Sequence, residues 1–208
     1  AVLGQQVLVF PQLCHGCGSC TTNCPEGAIR EVLNPTGTIS WGPVPETPIA
    51  FGQGELNVGE AMATPIIRQL KQRFIEYGGR EVVILDAPPG NACPVVETLR
   101  GVDFALLVTE PTPFGLHDLR IAVELATTEL NIPVGVVINR DGIGDAGVDQ
   151  FCSEAGIPIL MRIPMDRRIA EAYADGVMLV KALPDYQEAF VTLYQRIAQM
   201  MTEEVADA

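Results

Sequence analysis

Ala105-Leu106-Leu107-Val108-Thr109-Glu110-Pro111-Thr112-Pro113-Phe114-Gly115-Leu116-His117-Asp118 begins as an unbroken apolar run and passes through a polar, proline-bearing link into a helical pattern from Leu116 to Leu130. An apolar run without alternation is a strand buried on both faces, and a helix that follows it belongs to a parallel sheet covered by helices. The same texture recurs on both sides. Glu81-Val82-Val83-Ile84-Leu85 and Val134-Gly135-Val136-Val137-Ile138 read as two more buried strands. Ile157-Pro158-Ile159-Leu160-Met161 reads as a fourth, near an edge, because Pro158 has no N–H for a ladder. Helical spacing is found over Ala61 to Tyr77, Val148 to Ala155, Arg167 to Ala174 and Tyr186 to about Val205, and Gly78-Gly79 is a stop signal for the first of these. The expected class is α/β, with a mostly parallel sheet flanked by helices.

Upstream the texture differs. From Asn34 to Gly54 the chain is rich in proline and glycine, with short strand-like stretches at Thr38–Trp41 and Ile49–Phe51. Val7–Phe10 reads as a short strand before a dense cysteine run. The composition breaks near Asn57, so the expected organisation is a small loop-rich module over residues 1–56 and an α/β domain over 57–208. Trp41 is expected as a local core residue.

The cysteine run is Cys14-His15-Gly16-Cys17-Gly18-Ser19-Cys20-Thr21-Thr22-Asn23-Cys24-Pro25, four of the six cysteines of the chain. The spacing C-x2-C-x2-C-x3-C-P is that of bacterial ferredoxins. Short links bring three thiolates inward around a compact cluster, and Gly16 and Gly18 permit the tight turns that free backbone N–H groups for sulfur. A zinc ribbon would need a second, separated Cys-x-x-Cys knuckle, which the sequence lacks. Cys14, Cys17, Cys20 and Cys24 are therefore expected to bind a 4Fe–4S cluster, with His15 beside them and not a ligand. In two-cluster ferredoxins the fourth cysteine of such a run serves the other cluster. Cys93 and Cys152 stand alone and read as packing residues.

The chain carries 13 Lys and Arg against 26 Asp and Glu, a net charge of −13. That balance excludes an unassisted electrostatic grip on nucleic acid or anionic membrane. No apolar run approaches the ~18 residues of a membrane span. Past Asp185 acids outnumber the single Arg196, the wrong sign for a lipid-binding tail. No secretory pattern is seen in these residues, and the expected compartment is the cytoplasm.

At the ends of the expected strands lie polar motifs. Asp86 closes the 82–85 run and is followed by Ala87-Pro88-Pro89-Gly90. A carboxylate at a strand's C-terminal end can hold Mg²⁺ or its waters beside nucleotide phosphates, and Gly90 lets a backbone N–H approach a phosphate. Asn139-Arg140 ends the 134–138 strand, and an asparagine can pair both amide groups with adenine N6 and N7. Asp141 stands too near Asn139 for a guanine-reading arrangement. Ile163-Pro164-Met165-Asp166 ends the last strand; its loop can flank a base, or Asp166 can cap the helix from Arg167. His117 reads as a solvated or ligand-facing residue in a first helical turn.

Taken together, Asp86–Gly90, Cys93-Pro94-Val95, the Val108–Asp118 string, Val137–Arg140 and Ile163–Ala170 closely resemble the MinD/ParA superfamily of P-loop ATPases carrying an inserted ferredoxin domain, grouped with cobyrinic acid synthase-like nucleotide-binding domains. The resemblance runs over essentially the whole chain. It implies that Asp86 organises Mg²⁺, that Pro88, Pro89 and Gly90 form the switch sensing the γ-phosphate, and that Asn139 and Arg140 with the Pro164–Asp166 loop hold the adenine of ATP or ADP. Cys14, Cys17, Cys20 and Cys24 match the second of two ferredoxin runs. It implies a homodimer in the full-length form and a redox partner protein. The family's Walker A loop, Lys-Gly-Gly-x-Gly-Lys-Thr, is not found in these 208 residues, and Gly142-Ile143-Gly144 lacks the Lys-Ser/Thr ending. The expectation is a sheet lacking its first strands, in the C-terminal part of a longer protein that couples ATP hydrolysis to electron transfer or redox sensing. The other expectation is a non-enzymatic iron–sulfur electron-transfer or scaffold subunit with a degenerate nucleotide domain.

Overall fold

The structure is a computed structural model, and it describes residues 2–4, 6–14, 16–76 and 82–207. The chain divides into two compact units, Ala1–Asp86 and Ala87–Ala208. The break in composition at 56/57 precedes this division, because the first unit also includes a helix that packs on its hairpin.

In the first unit, β1 (Val2–Leu3) pairs antiparallel with β2 (Gln6–Val7). A 3-10 turn at Pro11–Leu13 and a single helical turn α1 (Ser19–Thr22) follow. β3 (Gly37–Pro43) and β4 (Ala50–Leu56) form an antiparallel hairpin with Gly37 opposite Leu56 and Pro43 opposite Ala50. On it lies α2 (Thr64–Glu76). The helix sits so close that the Phe74 ring occupies the space a Cβ on Gly52 would take, and Ile66 does the same at Gly54. Trp41 is 46% exposed, with the Arg73 guanidinium 5.5 Å from its ring centre, so it is a half-open platform and not a core residue.

The second unit is built on a parallel sheet in the order β5 (Ala105–Thr109), β6 (Val134–Asp141), β7 (Ile159–Pro164). Before it comes α3 (Cys93–Leu99). Helices α4 (Pro113–Val123) and α5 (Gly147–Ala155) make the two crossovers, and α6 (Arg167–Ala174), α7 (Leu179–Ala182) and α8 (Asp185–Asp207) follow the sheet. Successive side chains of a strand point to opposite faces, and β6 uses both. Val136 and Ile138, fully buried, pack with Leu119, Val148 and Cys152. Val134 joins Ala105, Ala126 and Ile132. Val137 turns the other way, to Leu160, Met161 and Leu193 of α8. This α/β arrangement, with helices on both faces of a parallel sheet, is the one the apolar runs predict.

Four further expectations are corrected. Val82–Leu85 is not a strand: among the described residues it has no ladder partner, and Ile84 is 89% exposed. Continuous apolarity signals burial, but a strand also needs a neighbour to take its N–H and C=O groups. Glu81, Tyr77 and the Gly78-Gly79 stop lie outside the described residues. Of Val7–Phe10 only Val7 is in a strand, and Leu8 to Phe10 are exposed. The helix expected over 116–130 is interrupted: α4 gives way to a π-helical turn at Glu124–Glu129, where the Leu130 N–H reaches back to the Leu125 carbonyl and Thr127 Oγ1 bonds the Val123 carbonyl at 2.8 Å. Cys93 is exposed at the start of α3, whereas Cys152 is buried as expected. The last strand keeps its edge position but starts after Pro158, whose carbonyl still accepts the Val136 N–H.

Candidate functional site

The thiol-bearing segment belongs to the first unit. Gly16 at φ 62° and Gly18 at φ 71° take left-handed conformations between the cysteines, which a side chain would resist. These turns set Ser19 over Cys17, and hydrogen bonds from the Ser19 backbone and hydroxyl hold the Cys17 thiol below its ordinary value. Past α1 the chain folds around Cys24. The Ala28 N–H donates to its Sγ at 3.3 Å, and this bond, followed by the amides of Glu26, Gly27 and Ile29, lowers the Cys24 thiol despite some opposing burial. Cys14, Cys17 and Cys20 are exposed, and Cys24 is half-buried. His15 lies outside the described residues.

These residues fit an iron–sulfur cluster in donor chemistry: soft thiolates, two of them biased toward the ionised form, with backbone N–H groups turned to sulfur. The four thiols are not gathered at one point. Among the described residues no group of three or more His, Cys, Asp or Glu side chains converges closely enough to hold a metal ion.

In the second unit the C-terminal ends of the three parallel strands bring Asn139, Arg140, Pro164 and Asp166 to one edge of the sheet, where ligands sit in folds of this kind. Ile138 is opposite Arg162, but Asp141 is opposite Pro164, so β6 carries an extra residue there: a bulge at Asn139-Arg140. Arg140 adopts φ 52°, a left-handed conformation that costs a residue with a side chain about 1 kcal/mol or more. Asn139 is half-buried, and among the described residues no hydrogen bond engages its amide.

The loops around this bulge are tied together. Glu110, just past β5, pairs with Arg140 at 3.3 Å. Arg162 on β7 reaches Asp141 at 3.5 Å and also bonds Asp149 on α5, and the latter bond raises the Arg162 value further above its usual range. The Asp141 carbonyl accepts the Met165 N–H, and the Pro111 carbonyl accepts the Asp145 N–H, each at 3.0 Å. Thr112 caps α4 by accepting the Gly115 N–H at 3.1 Å. Asp166 caps α6 through the Arg168 N–H at 2.9 Å and also grips the Arg168 guanidinium; that guanidinium, then the cap bond, holds its carboxyl below the usual carboxylate range.

Asp86 belongs to the first unit, and Pro88, Pro89 and Gly90 to the second; all four are exposed in a segment without regular structure, with Gly90 at φ 93°. His117 is exposed on α4. The ties from Glu110 and Arg162 are not evident in the sequence. The only signal for them is the Arg-Asp-Gly sequence at the end of β6, with acids and an arginine at the ends of adjacent strands.

Residues 6–29 match the family described as 4Fe-4S binding domain. An uncharacterised protein of Methanocaldococcus jannaschii is 31% identical over 182 residues, which cover 86% of this chain and 61% of that protein. An iron-sulfur cluster carrier protein of the same organism is 26% identical over 149 residues, 64% of this chain and 51% of that protein. Among solved structures, the cell division ATPase MinD of Pyrococcus furiosus superposes with a TM-score of 0.54 at 24% identity, covering 69% of this chain and 60% of that one, which shows a shared fold. The chain spans between half and two thirds of the length of these curated relatives. Among the described residues no helix is long and apolar enough to cross a membrane.

Proposed function

We propose that the whole protein is a MinD-type P-loop ATPase with an iron–sulfur domain, and that it couples ATP binding and hydrolysis to an iron–sulfur centre used for electron transfer or redox sensing. The observation that carries this is the union, in one chain, of a thiolate run matched as a 4Fe-4S binding domain with an α/β unit of MinD-like fold. Cys14, Cys17 and Cys20 would hold one cluster, and Cys24 the same cluster or a neighbouring one. A bound cluster supplies one-electron chemistry. The amides of Glu26 to Ile29 stabilise negative charge on the Cys24 sulfur, and Ser19 does so on Cys17.

In the nucleotide part Asp86 would organise Mg²⁺ through its waters, and the Pro88–Gly90 segment would respond to the γ-phosphate. Asn139 would read the adenine edge, with Arg140 and the Pro164–Asp166 loop beside it. The partners that follow are a redox protein and, for the full-length form, a second copy of the chain. Nucleic acid and membrane insertion are not expected at a net charge of −13 with no spanning helix among the described residues. The cytoplasm is the compartment that suits reduced thiols. Residues 1–208 carry no Lys-Ser/Thr phosphate loop, so this segment alone is expected to hydrolyse ATP negligibly, while the full-length natural protein turns it over with Mg²⁺ and loses turnover in Asp86→Ala. Magnesium-dependent hydrolysis by residues 1–208 alone, abolished by Asp86→Ala, contradicts this assignment.

A second reading is cluster carriage. It is favoured by the relatives that bear that name and by the exposure of Cys14, Cys17 and Cys20, since an accessible cluster is one an acceptor can reach. Loss of iron and sulfide from the protein to an apo-acceptor during incubation distinguishes carriage from electron transfer, in which the cluster is retained through repeated reduction and oxidation.

A further inference from the structure

The bulge at the end of β6 is made without glycine. Arg140 is held at φ 52°, and in the two-residue stretch Asn139-Arg140 the strand departs from its register with β7. A bulge re-aims the side chain it carries, and a strained backbone persists only where its surroundings hold it. Here two neighbours do so from opposite sides. Glu110, from the end of β5, pairs with Arg140 at 3.3 Å. Arg162, from β7, pairs with Asp141 at 3.5 Å and is itself fixed by Asp149. The Met165 N–H adds a backbone tie to the Asp141 carbonyl at 3.0 Å. The two residues that follow Asn139 are thus pinned to both adjoining strands, while its amide is left without a hydrogen bond among the described residues. Spending two ion pairs on a bulge whose amide is left free suits a group set for a ligand more than one that closes a turn.

We propose that Glu110 and Arg162 are positioning residues for Asn139, holding its amide ready for the N6/N7 edge of an adenine. The carbonyl would accept from N6–H and the NH₂ donate to N7. Neither residue touches the base; Glu110 acts through the Arg140 guanidinium and Arg162 through the Asp141 carboxylate. This inference rests on the nucleotide assignment above and extends it to the residues that set base preference.

The test uses the full-length natural protein and titration calorimetry with ADP and IDP, since the hypoxanthine of IDP presents an acceptor where adenine presents N6–H. Wild type is expected to favour ADP by about tenfold, the usual size of a good bidentate contact, and Asn139→Ala to abolish that preference. Glu110→Gln and Arg162→Gln should each reduce it about threefold or more, the scale of coupling between neighbouring residues, with little change in melting temperature. The conservative variant Glu110→Asp, which keeps the carboxylate for Arg140, should retain most of it. If Asn139→Ala removes the preference but either glutamine variant keeps it, or if Glu110→Asp loses as much of it as Glu110→Gln, positioning by these residues is overturned and base reading stands. If wild type does not bind ADP, or Asn139→Ala leaves the preference intact, the base-reading assignment fails and the proposal with it.

Discussion

The two units of this chain solve the problem of order differently. The second buries Val136, Ile138, Val148 and Cys152 almost completely and packs three apolar clusters around β6. In the first, Ile66 alone among the described residues enters the buried core, while Leu13, Ile49 and Phe51 stay largely exposed. A unit with so little apolar burial needs a staple, and a metal centre bound by four thiolates is one such staple, because its binding energy is also folding energy. The chemistry-bearing cysteines thus lie in the unit with least apolar burial, and the proposed nucleotide site lies at the end of the most deeply buried strand.

The largest expected contrast is in hydrogen exchange of iron-free protein. Amides of β6 should exchange at least about a thousandfold more slowly than those of β3 and β4, as separate cooperative units of unequal stability do. Reconstitution with iron and sulfide should slow the first unit and leave β6 unchanged. Equal protection of both units without iron would erase the contrast.

Core truncation sharpens it next. Ile138→Ala should cost the second unit about 2–5 kcal/mol, the range for emptying a filled core site, read from denaturant unfolding. Ile66→Ala should leave the second unit's transition in place. A shift of that transition by both variants would mean that the two units unfold as one.

The thiols give a chemical version of the same difference. Iodoacetamide at neutral pH should modify Cys24 readily in iron-free protein, since the Ala28 N–H and its neighbours favour the thiolate. Cys152 should resist until the protein unfolds, because burial, then the nearby Asp149 charge, raises its thiol. Peptide mapping reads both. Slower reaction at Cys24 than at Cys152 would contradict the amide cradle.

The smallest effect concerns the Asp166 cap. Its folded value is depressed, so its contribution to stability is full above the ordinary carboxylate value and fades as pH falls through the lowered folded one. Asp166→Asn keeps a capping side chain but loses the charge. The melting-temperature gap between wild type and this variant should close as the pH drops through that window; a gap independent of pH would mean that the charge contributes nothing.

Which parts could be read in advance follows from the same physics. β5 and β6 were legible because a continuous apolar run that finds cover on both faces has no alternative to a central strand. Val82–Leu85 has the same texture, yet texture encodes the need for burial and not the identity of a neighbour. The cysteine run was legible as donor chemistry, because thiolate spacing and the glycines between are local. The Cys24 cradle was only half so: Pro25 and Gly27 mark a turn, but which amides face sulfur is set by the backbone path to Ile29. Asn139 could be singled out at a strand end. The bulge beneath it could not, since it is made by an arginine at φ 52° held from two adjacent strands, and long-range ion pairs leave no periodic trace.

The central claim is that this chain binds iron through the cysteine run, and the most direct measurement is iron and acid-labile sulfide in anaerobically purified protein, alongside its visible absorption. The account predicts a brown protein with iron and sulfide in equal amounts, and loss of both in Cys14→Ser, Cys17→Ser and Cys20→Ser without unfolding of the second unit. A colourless protein, or zinc in place of iron in material prepared and reconstituted without oxygen, would contradict it.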